Sequence, residues 1–487
     1  SLADVVHQPA VKMNDPYHGY TPEEAIEEAK RCIQCQCLEC VKVCVYLERF
    51  GSYPKKYARE IYNNESIVIG TRQSNKLVNS CSLCGLCEAV CPEDFAMQDL
   101  CLQSRQGMVQ RGKMPPSAHE FALSDMAFSQ SERFALARHE PGYSESHRAF
   151  FPGCQLSGSS PDQVMAVYAH LRGAFTGGVG LILGCCAAPA WWAGEQDLFN
   201  NHVEELKSQW HSLGKPEMIL ACSTCLGLFR EHLPEIPVVS LWPVLEGTWV
   251  PSRIKPVADE VLAIHDPCTT RHEPFIQGSV RRLLKKLAVT VEELNLGRDL
   301  TECCGYGGLM QDANPVLARE VIKTRARRSE KDYITYCAVC RDSLASVNKR
   351  AFHLLDLLFP DPELTYPSLR KKTGWSERQE NRARLKDRLL EELWSEKPME
   401  KKEHQKIKLL IAPGVRALLE ERRILDEDLQ RVIQHAEESG EKFYNASTER
   451  FKAAFRPYKA MFWVEYRPSE DGFIVFNAYL HRMELTA

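Results

Sequence analysis

The chain has 487 residues, of which 44% are hydrophobic and 26% charged, and its formal net charge is −4. Several domains are expected at this length, and the near-balanced charge gives no reason to expect nucleic acid as a partner. No apolar run approaches the ~20 residues that a membrane-spanning helix needs, and the N-terminal stretch lacks the basic and apolar regions of a signal peptide.

The 20 cysteines stand in tight clusters. In a large chain without an export signal, such clusters favour metal or redox chemistry over disulfides. The sequence therefore predicts a cytoplasmic redox or metal protein without a transmembrane segment of its own.

The N-terminal part, 1–148, is predicted to be a helical ferredoxin-like domain. Thr21 suits the N-cap and Pro22 the first position of a short helix that leads to the first cysteine group. This group has the spacing C-x2-C-x4-C-x3-C, with Cys37 left inside the loop, and a second group, C-x2-C-x2-C-x3-C-P, follows a β-prone run at 66–70. The two groups consist of Cys32, Cys35, Cys40 and Cys44, and of Cys81, Cys84, Cys87 and Cys91.

The second spacing is that of bacterial ferredoxins, in which three cysteines hold one 4Fe-4S cluster and the fourth reaches to its neighbour. The first, with its EEAxRC lead-in, resembles the iron-sulfur segment beside the flavin domain of glutamate synthase small subunits. Two ferredoxin-type 4Fe-4S clusters are expected, and a zinc ribbon is the alternative. The expected ligand sets are Cys32, Cys35, Cys40 and Cys91 for one cluster, and Cys44, Cys81, Cys84 and Cys87 for the other. Cys101, in the polar and helical stretch that follows, is expected to be a buried structural thiol.

A five-cysteine pattern, C…CC…C-x2-C, then occurs twice, and matching members lie 114 to 118 residues apart, which indicates an internal duplication. Short apolar runs alternate with amphipathic helices in each copy, so parallel sheets covered on both faces are predicted. Most of the cysteines follow a predicted strand, and the carboxyl ends of such strands form the ligand-binding edge of the sheet. The first copy, 149–258, contains Cys154, Cys185, Cys186, Cys222 and Cys225, and the second, 259–367, contains Cys268, Cys303, Cys304, Cys337 and Cys340.

Five thiolates are one more than a tetrahedral zinc site uses, and a disulfide between adjacent cysteines is strained. Both remain alternatives, but an iron-sulfur cluster of unusual nuclearity uses all five. The arrays resemble the CCG domain of the B-type heterodisulfide reductase protein, and the whole layout looks like the fused D-type protein of that enzyme. The iron-sulfur subunits of glycolate oxidase and anaerobic glycerol-3-phosphate dehydrogenase are similar.

The resemblance implies a role in anaerobic metabolism, one noncubane 4Fe-4S cluster in each array, and a disulfide that is split between the two clusters. The second copy matches the family with HDPC at 265–268 and ECCGYGG at 302–308. The first copy keeps FPGC at 151–154 but reads CCAAPA where the family has CCG. Beyond the cluster ligands no catalytic residue is implied, and His265 is expected either to hydrogen-bond a cluster sulfur or to be structural.

The C-terminal part lies outside the resemblance. Its charge-rich stretch, 368–406, predicts an exposed helical linker, and 407–487 predicts a small α+β domain of unknown role with a hairpin turn at 469–472. The complete fold prediction is thus an α/β protein with a duplicated CCG domain, a helical two-cluster domain before it and a small α+β domain after it.

Two functions follow from these patterns. In the first, the chain is the iron-sulfur subunit of a heterodisulfide-reductase-like complex and passes electrons to paired noncubane clusters, which reduce a small disulfide or oxidise thiols. In the second, it relays electrons from a flavoprotein dehydrogenase to another acceptor and has no substrate of its own. No G-x-G-x-x-G follows a predicted strand, so a flavoprotein or other electron-donor subunit is expected as a partner, and this partner can attach the protein to a membrane complex.

Overall fold

The structure is a computed structural model that describes residues 9–14, 19–31, 37–68, 72–248, 261–361, 364–458 and 460–481. The chain divides into two compact units, Ser1–Lys372 and Thr373–Ala487. The first unit contains both cysteine arrays and the ferredoxin-like segment. No helix in the described ranges is both long and apolar enough to cross a membrane.

The ferredoxin-like segment is helical, as predicted. Its helices are α1 (Pro22–Lys30), α2 (Glu39–Val43), α3 (Val45–Phe50), α4 (Pro54–Asn63), α5 (Arg72–Asn79), α6 (Leu86–Ala89), α7 (Met97–Gln110) and α8 (Glu120–Gln130). The Thr21 hydroxyl accepts a hydrogen bond from the Glu24 N–H, and the Glu24 carboxylate accepts one from the Thr21 N–H, so α1 begins with a capping box. The β-prone run is not a strand where it is described, because Asn64–Val68 continues α4 as a π-helical turn.

The first copy of the repeat is built on a five-stranded sheet. Its elements are β1 (Leu136–Arg138), β2 (Arg148–Phe151), α9 (Cys154–Ser159), α10 (Pro161–Ala174), β3 (Val179–Leu183), α11 (Ala188–Ala193), α12 (Gln196–Ser212), β4 (Glu217–Leu220), α13 (Ser223–His232), β5 (Val238–Ser240) and α14 (Leu241–Thr248). The strand order is β1-β3-β2-β4-β5, and β2 to β5 pair in parallel. β1 adds an antiparallel edge that the apolar pattern did not predict.

The second copy repeats this topology on a four-stranded sheet. Its elements are β6 (Leu262–His265), α15 (Pro274–Lys286), β7 (Val291–Glu293), α16 (Met310–Ala313), α17 (Pro315–Ala326), β8 (Tyr333–Thr335), α18 (Ala338–Ala345), β9 (Ala351–His353) and α19 (Leu354–Leu358). All pairings in the order β7-β6-β8-β9 are parallel. This order matches β3-β2-β4-β5 strand for strand, so the duplication seen in the cysteine spacing is also a duplication of topology.

The parts of the first unit are packed directly on one another. The Gln163 side-chain amide of the first copy donates a 2.6 Å hydrogen bond to the Asp356 carboxylate of the second. The ferredoxin-like segment shares an apolar core with the second copy, in which Leu47 belongs to the same buried cluster as Met310 and Leu317. Ferredoxin cysteines and the second array thus border a single apolar core.

The second unit is a small α+β domain, as predicted. Its elements are α20 (Trp375–Trp394), β10 (Leu409–Ile411), α21 (Pro413–Arg422), α22 (Asp426–Ser439), β11 (Lys442–Asn445), β12 (Arg450–Phe455), β13 (Met461–Ser469) and β14 (Gly472–His481). The sheet order is β10-β14-β13-β12-β11, and Ser469 pairs with Gly472 across the predicted two-residue hairpin turn.

The charge-rich stretch before this sheet forms a helix, α20, but that helix is not the exposed linker that its composition predicted. Arg378, Arg382, Leu385 and Leu389 are all buried. Their spacing of four, three and four residues places them on one helical face, so the two arginines share the buried stripe of the leucines.

Candidate iron-sulfur site

The first array brings its five sulfurs together at the carboxyl ends of parallel strands. Cys154 follows β2, the pair Cys185 and Cys186 follows β3, and Cys222 follows β4 as the N-cap of α13, with Cys225 in the first turn. The Sγ atoms of Cys154 and Cys185 are 3.6 Å apart. Cys186 hydrogen-bonds to Cys185 and Cys225, and Cys225 to Cys222, so the five thiols form one continuous group.

The second array has the same arrangement. Cys268 follows β6, the pair Cys303 and Cys304 comes after β7, and Cys337 caps α18, with Cys340 in its first turn. The Sγ atoms of Cys304 and Cys340 are 3.3 Å apart, Cys303 hydrogen-bonds to Cys268 and Cys304, and Cys340 to Cys337. The convergence expected from the strand ends is therefore present in both copies.

The buried thiols of each array shift one another's pKa. Hydrogen bonds from Cys185 and Cys225 lower the pKa of Cys186 to about 6. Hydrogen bonds from Cys303 and Cys340 lower the pKa of Cys304 well below its usual value. The same hydrogen bonds raise the pKa of Cys225 and of Cys340 well above the usual value of a thiol. Cysteine sulfurs gathered in this way are the soft donors that iron-sulfur clusters take. The residues present in each array thus fit an iron-sulfur cluster. Five cysteines are one more than the four ligands that a structural zinc site uses.

The residue after each cysteine pair has left-handed backbone geometry. Gly305 has φ +81°, and a Cβ there would lie 2.7 Å from Ile322 Cγ1 and 2.9 Å from the Ala318 carbonyl oxygen. The matching Ala187 adopts φ +64°, which costs an alanine about 1 kcal/mol. The replacement of glycine by Ala187 in the first copy therefore keeps the same local backbone conformation, and the sulfurs of the first array still converge.

His265, at the end of β6, lies against the second array. Arg325 Nε donates a 2.9 Å hydrogen bond to His265 Nδ1, so the proton of the neutral ring is on Nε2. A ring nitrogen of His265 and the Sγ atoms of Cys304 and Cys340 lie within 4.8 Å of one another, and Nε2 has no hydrogen-bond partner among the described protein atoms. Burial, and then Arg325, lower the pKa of His265 to about 3, so the ring stays neutral.

The two arrays differ at the strand end that precedes the first cysteine. Phe151 occupies the position in the first copy that His265 occupies in the second, three residues before the cysteine, and it is fully buried against Phe229. The next residue in the second copy, Asp266, is clamped by Arg281 through two hydrogen bonds of 3.0 and 2.9 Å. The strand that leads to the first array thus ends on an apolar residue, whereas the corresponding strand of the second copy ends on a polar one.

The ferredoxin cysteines that the structure describes lie beside the second array. Cys44 interacts electrostatically with Cys84, and Cys87 interacts with both. Cys84 also hydrogen-bonds to Cys303, so a ferredoxin cysteine and an array cysteine are in direct side-chain contact. Sequence reasoning did not foresee this contact, because the two residues belong to separate motifs far apart in the chain.

Only some of the other predicted members of the ferredoxin groups are among the described residues. Cys32 and Cys35 lie outside the described residues. Cys40 is buried on α2, which packs against α6, and Cys91 is half-buried. The division of the eight cysteines between two clusters therefore stays a prediction.

Arg105, which the sequence did not single out, is fully buried where the three parts of the first unit meet. Its guanidinium donates to the carbonyl oxygens of Val78 and Cys81 in the ferredoxin-like segment, Trp192 in the first copy and Gly308 in the second, over 2.7 to 3.0 Å. A lone arginine in a polar helix carries no sequence signal for such a role.

Cys101 lies in the same region as Arg105. It is buried and hydrogen-bonds to Cys81, and its Sγ is 3.7 Å from the Tyr46 hydroxyl. It contacts the predicted ligand group without being one of its expected members.

A cavity of about 310 Å³ opens onto the second array. Four of that array's cysteines line it, whereas no cysteine of the first array does, although Ser223 and Thr224 from the Cys222–Cys225 loop form part of the wall. Ser223 Oγ and Thr269 Oγ1 are 2.5 Å apart and join the two arrays' loops at this point. The cysteines that line the cavity are Cys268, Cys304, Cys337 and Cys340.

Comparison with known families agrees with this architecture. The family described as 4Fe-4S dicluster domain matches residues 31–96, and the CCG family, described as cysteine-rich domain, matches residues 148–230 and 262–345. The chain thus contains one dicluster domain and two CCG domains. The predicted family is confirmed, and the matched domains support iron-sulfur clusters as its cofactors.

The relatives have low sequence identity to this chain, but the matches extend over 60% or more of it. The chain is 24% identical over 355 residues to an uncharacterized iron-sulfur protein of Methanocaldococcus jannaschii, and the match covers 66% of this chain and 69% of the relative. It is 22% identical over 341 residues to the D-type protein of the dihydromethanophenazine:CoB–CoM heterodisulfide reductase of Methanosarcina acetivorans, covering 60% and 82%. The corresponding protein of Methanosarcina barkeri is 21% identical over 373 residues, covering 65% and 88%.

Proposed function

We propose that this chain is the iron-sulfur subunit of a heterodisulfide-reductase-like redox complex, in which a small disulfide is reduced, or two thiols are oxidised, beside the second array. One observation carries the proposal: Cys303 of the second array touches Cys84 of the ferredoxin group, and the other four cysteines of that array line a cavity. This is the arrangement that electron delivery to a bound molecule requires. Distant similarity to the D-type heterodisulfide reductase proteins supports it.

The ten array cysteines would hold two noncubane clusters, and the eight ferredoxin cysteines two further 4Fe-4S clusters. Bound clusters of this kind supply and accept single electrons. Everything else that the chain contributes is positioning and tuning of these groups.

Arg105 fixes the entry route for electrons. By binding carbonyl oxygens on all three parts of the first unit, it holds the Cys81–Cys84 loop against the second copy. Its positive charge also lies close to Cys81 and favours the more negative, reduced state of a group bound there.

His265 tunes the second array. Arg325 keeps the ring proton on Nε2, the nitrogen left available to the sulfurs of Cys304 and Cys340. A hydrogen bond to ligand sulfur stabilises the reduced state of an iron-sulfur centre. Because Phe151 offers no such donor, the second array is expected to be easier to reduce than the first.

A second candidate function is the electron relay without its own substrate. It is favoured by the observation that the cysteines of the first array do not line the cavity, since cleavage of a disulfide between two arrays would need both to reach it. In either function the electrons come from a partner, for which a flavoprotein or another electron-donor subunit is proposed.

Reduction of disulfides by the anaerobically purified protein with reduced viologen as electron donor separates the two functions. The reductase function predicts steady oxidation of viologen that depends on added disulfide and is lost in Cys303→Ser. The relay function predicts none with any disulfide, while viologen still reduces the protein itself. Cys101→Ser is the matched control, because that thiol is buried beside Cys81 but lies outside the expected ligand sets.

A further inference from the structure

The cavity beside the second array has an acidic rim. Asp99 and Glu231 line it, and among its lining residues in the described part of the chain there is no lysine, arginine or histidine. The two carboxylates are near enough to interact: burial, and then Glu88 and Glu231, raise the pKa of Asp99. A molecule that enters therefore meets negative charge.

Two arginines that lie close in sequence to lining residues interact with other groups. Arg271 donates to the carbonyl oxygens of Cys84 and Thr301, at 3.2 and 2.8 Å, and not into the cavity. Arg230 forms an ion pair with Glu273. Among the described residues, neither arginine forms an ion pair with Asp99 or Glu231.

His232 is a further basic group beside Glu231, with its Nε2 3.5 Å from the Glu231 carboxylate. Burial lowers its pKa, so it is neutral near physiological pH. Its ring packs at 4.4 Å from that of Trp191, which keeps it in the aromatic wall.

That wall is the second property of the cavity. Trp191 and Trp192 line it next to Leu102 and Leu228, and Trp191 is fixed by Phe199 at 5.0 Å between ring centroids. Indole faces attract cations and pack well against short aliphatic chains. An acidic rim and an indole wall both favour a compact molecule with amine or neutral polar ends.

Resting on the proposed function, we infer that the substrate of the second array is a small cationic or uncharged disulfide, with two thiols as products, and that anionic disulfides are excluded. The reaction is RSSR + 2e⁻ + 2H⁺ → 2 RSH: the S–S bond breaks and two S–H bonds form. A one-electron donor supplies the electrons in two steps through the ferredoxin-like segment, and solvent supplies the protons.

Three thioethers of matched length test the charge preference without turnover, because a C–S–C linkage cannot be reduced at this site. They are bis(2-aminoethyl) sulfide, which is cationic, thiodiglycol, which is neutral, and 3,3′-thiodipropionate, which is anionic. Calorimetric titration of the anaerobic holoprotein should give the tightest binding for the diamine and at least tenfold weaker binding for the dicarboxylate.

The corresponding disulfides, cystamine, 2-hydroxyethyl disulfide and 3,3′-dithiodipropionate, are then compared as substrates with reduced viologen. Glu231→Gln and Asp99→Asn should each weaken binding of the diamine and raise the KM of cystamine by about fivefold at low salt. Neither change should affect the neutral compounds. Glu204→Gln is the matched control, because that glutamate is exposed on α12 and does not line the cavity.

The outcomes distinguish this inference from the function on which it rests. Binding of the diamine without reduction of any disulfide supports the charge preference and contradicts the reductase function. Reduction of all three disulfides with the dicarboxylate preferred overturns the inference and leaves the function standing. Failure of every thioether to bind, or equal effects of Glu204→Gln and Glu231→Gln, also overturns the inference.

Discussion

Replacement of Arg105 by methionine should destabilise the first unit strongly. The side chain is fully buried, and its five hydrogen bonds satisfy the carbonyl oxygens of Val78, Cys81, Trp192 and Gly308. Each carbonyl oxygen left without a donor costs about 1 kcal/mol or more. Because removal of the guanidinium also relieves its own burial penalty, we expect a net loss of about 3–5 kcal/mol.

Arg105→Lys should recover only part of this stability, since an ammonium group lacks the planar fork that reaches acceptors on three sides. Arg111→Met is the matched control from the end of the same helix. Arg111 is 40% exposed and pairs with Glu65 at 3.3 Å, an interaction that contributes about 1 kcal/mol at most.

The assay is anaerobic urea unfolding followed by far-UV circular dichroism, with iron content measured before unfolding. Arg105→Met should shift the midpoint far more than Arg111→Met and should release iron from the ferredoxin-like segment. If the two variants have the same midpoint and iron content, Arg105 does not join the three parts of the unit.

Three further predictions concern the arrays. Gly305→Ala should lower the free energy of unfolding by about 3 kcal/mol, because of the positive φ at this position and the overlap of the new Cβ with its neighbours. It should also lower the iron content by one cluster, whereas Ala187→Gly should keep all the iron. Equal iron content in both variants would refute this. His265→Phe should keep the iron but lower the reduction potential of the second array in a redox titration, since the N–H beside Cys304 and Cys340 is lost, and an unchanged potential would show that His265 is structural. Cys303→Ser should lose one cluster and Cys101→Ser none; loss of iron from the latter variant would mean that the ligand assignment is wrong.

Patterns local in sequence predicted the local structure well. The TPEE sequence predicted Thr21 as the N-cap of α1 and Pro22 as its first residue, because cap and helix are neighbours in the chain. The apolar runs predicted the parallel strands, and the general geometry of such sheets brought the separated cysteines of each array together. At the CCAAPA departure, Ala187 adopts the left-handed conformation that a glycine favours.

Contacts between distant segments could not be predicted in this way. Cys84 and Cys303 belong to motifs that each look complete, and nothing in either spacing indicates that they meet. Arg378 and Arg382 look solvated by composition, and the structure shows that they are buried on the same face of α20 as its leucines. The acidic rim of the cavity likewise comes from residues of distant segments, Asp99 and Glu231.

Electron paramagnetic resonance of the dithionite-reduced protein during addition of a disulfide tests the central claim most directly. The protein should first contain about 16 Fe per chain, four for each of four clusters. Addition of a disulfide should then produce a new paramagnetic signal in the unmodified protein and in Cys101→Ser, but not in Cys303→Ser. A fully iron-loaded protein that gives no new signal with cationic, neutral or anionic disulfides would contradict a substrate site at the second array.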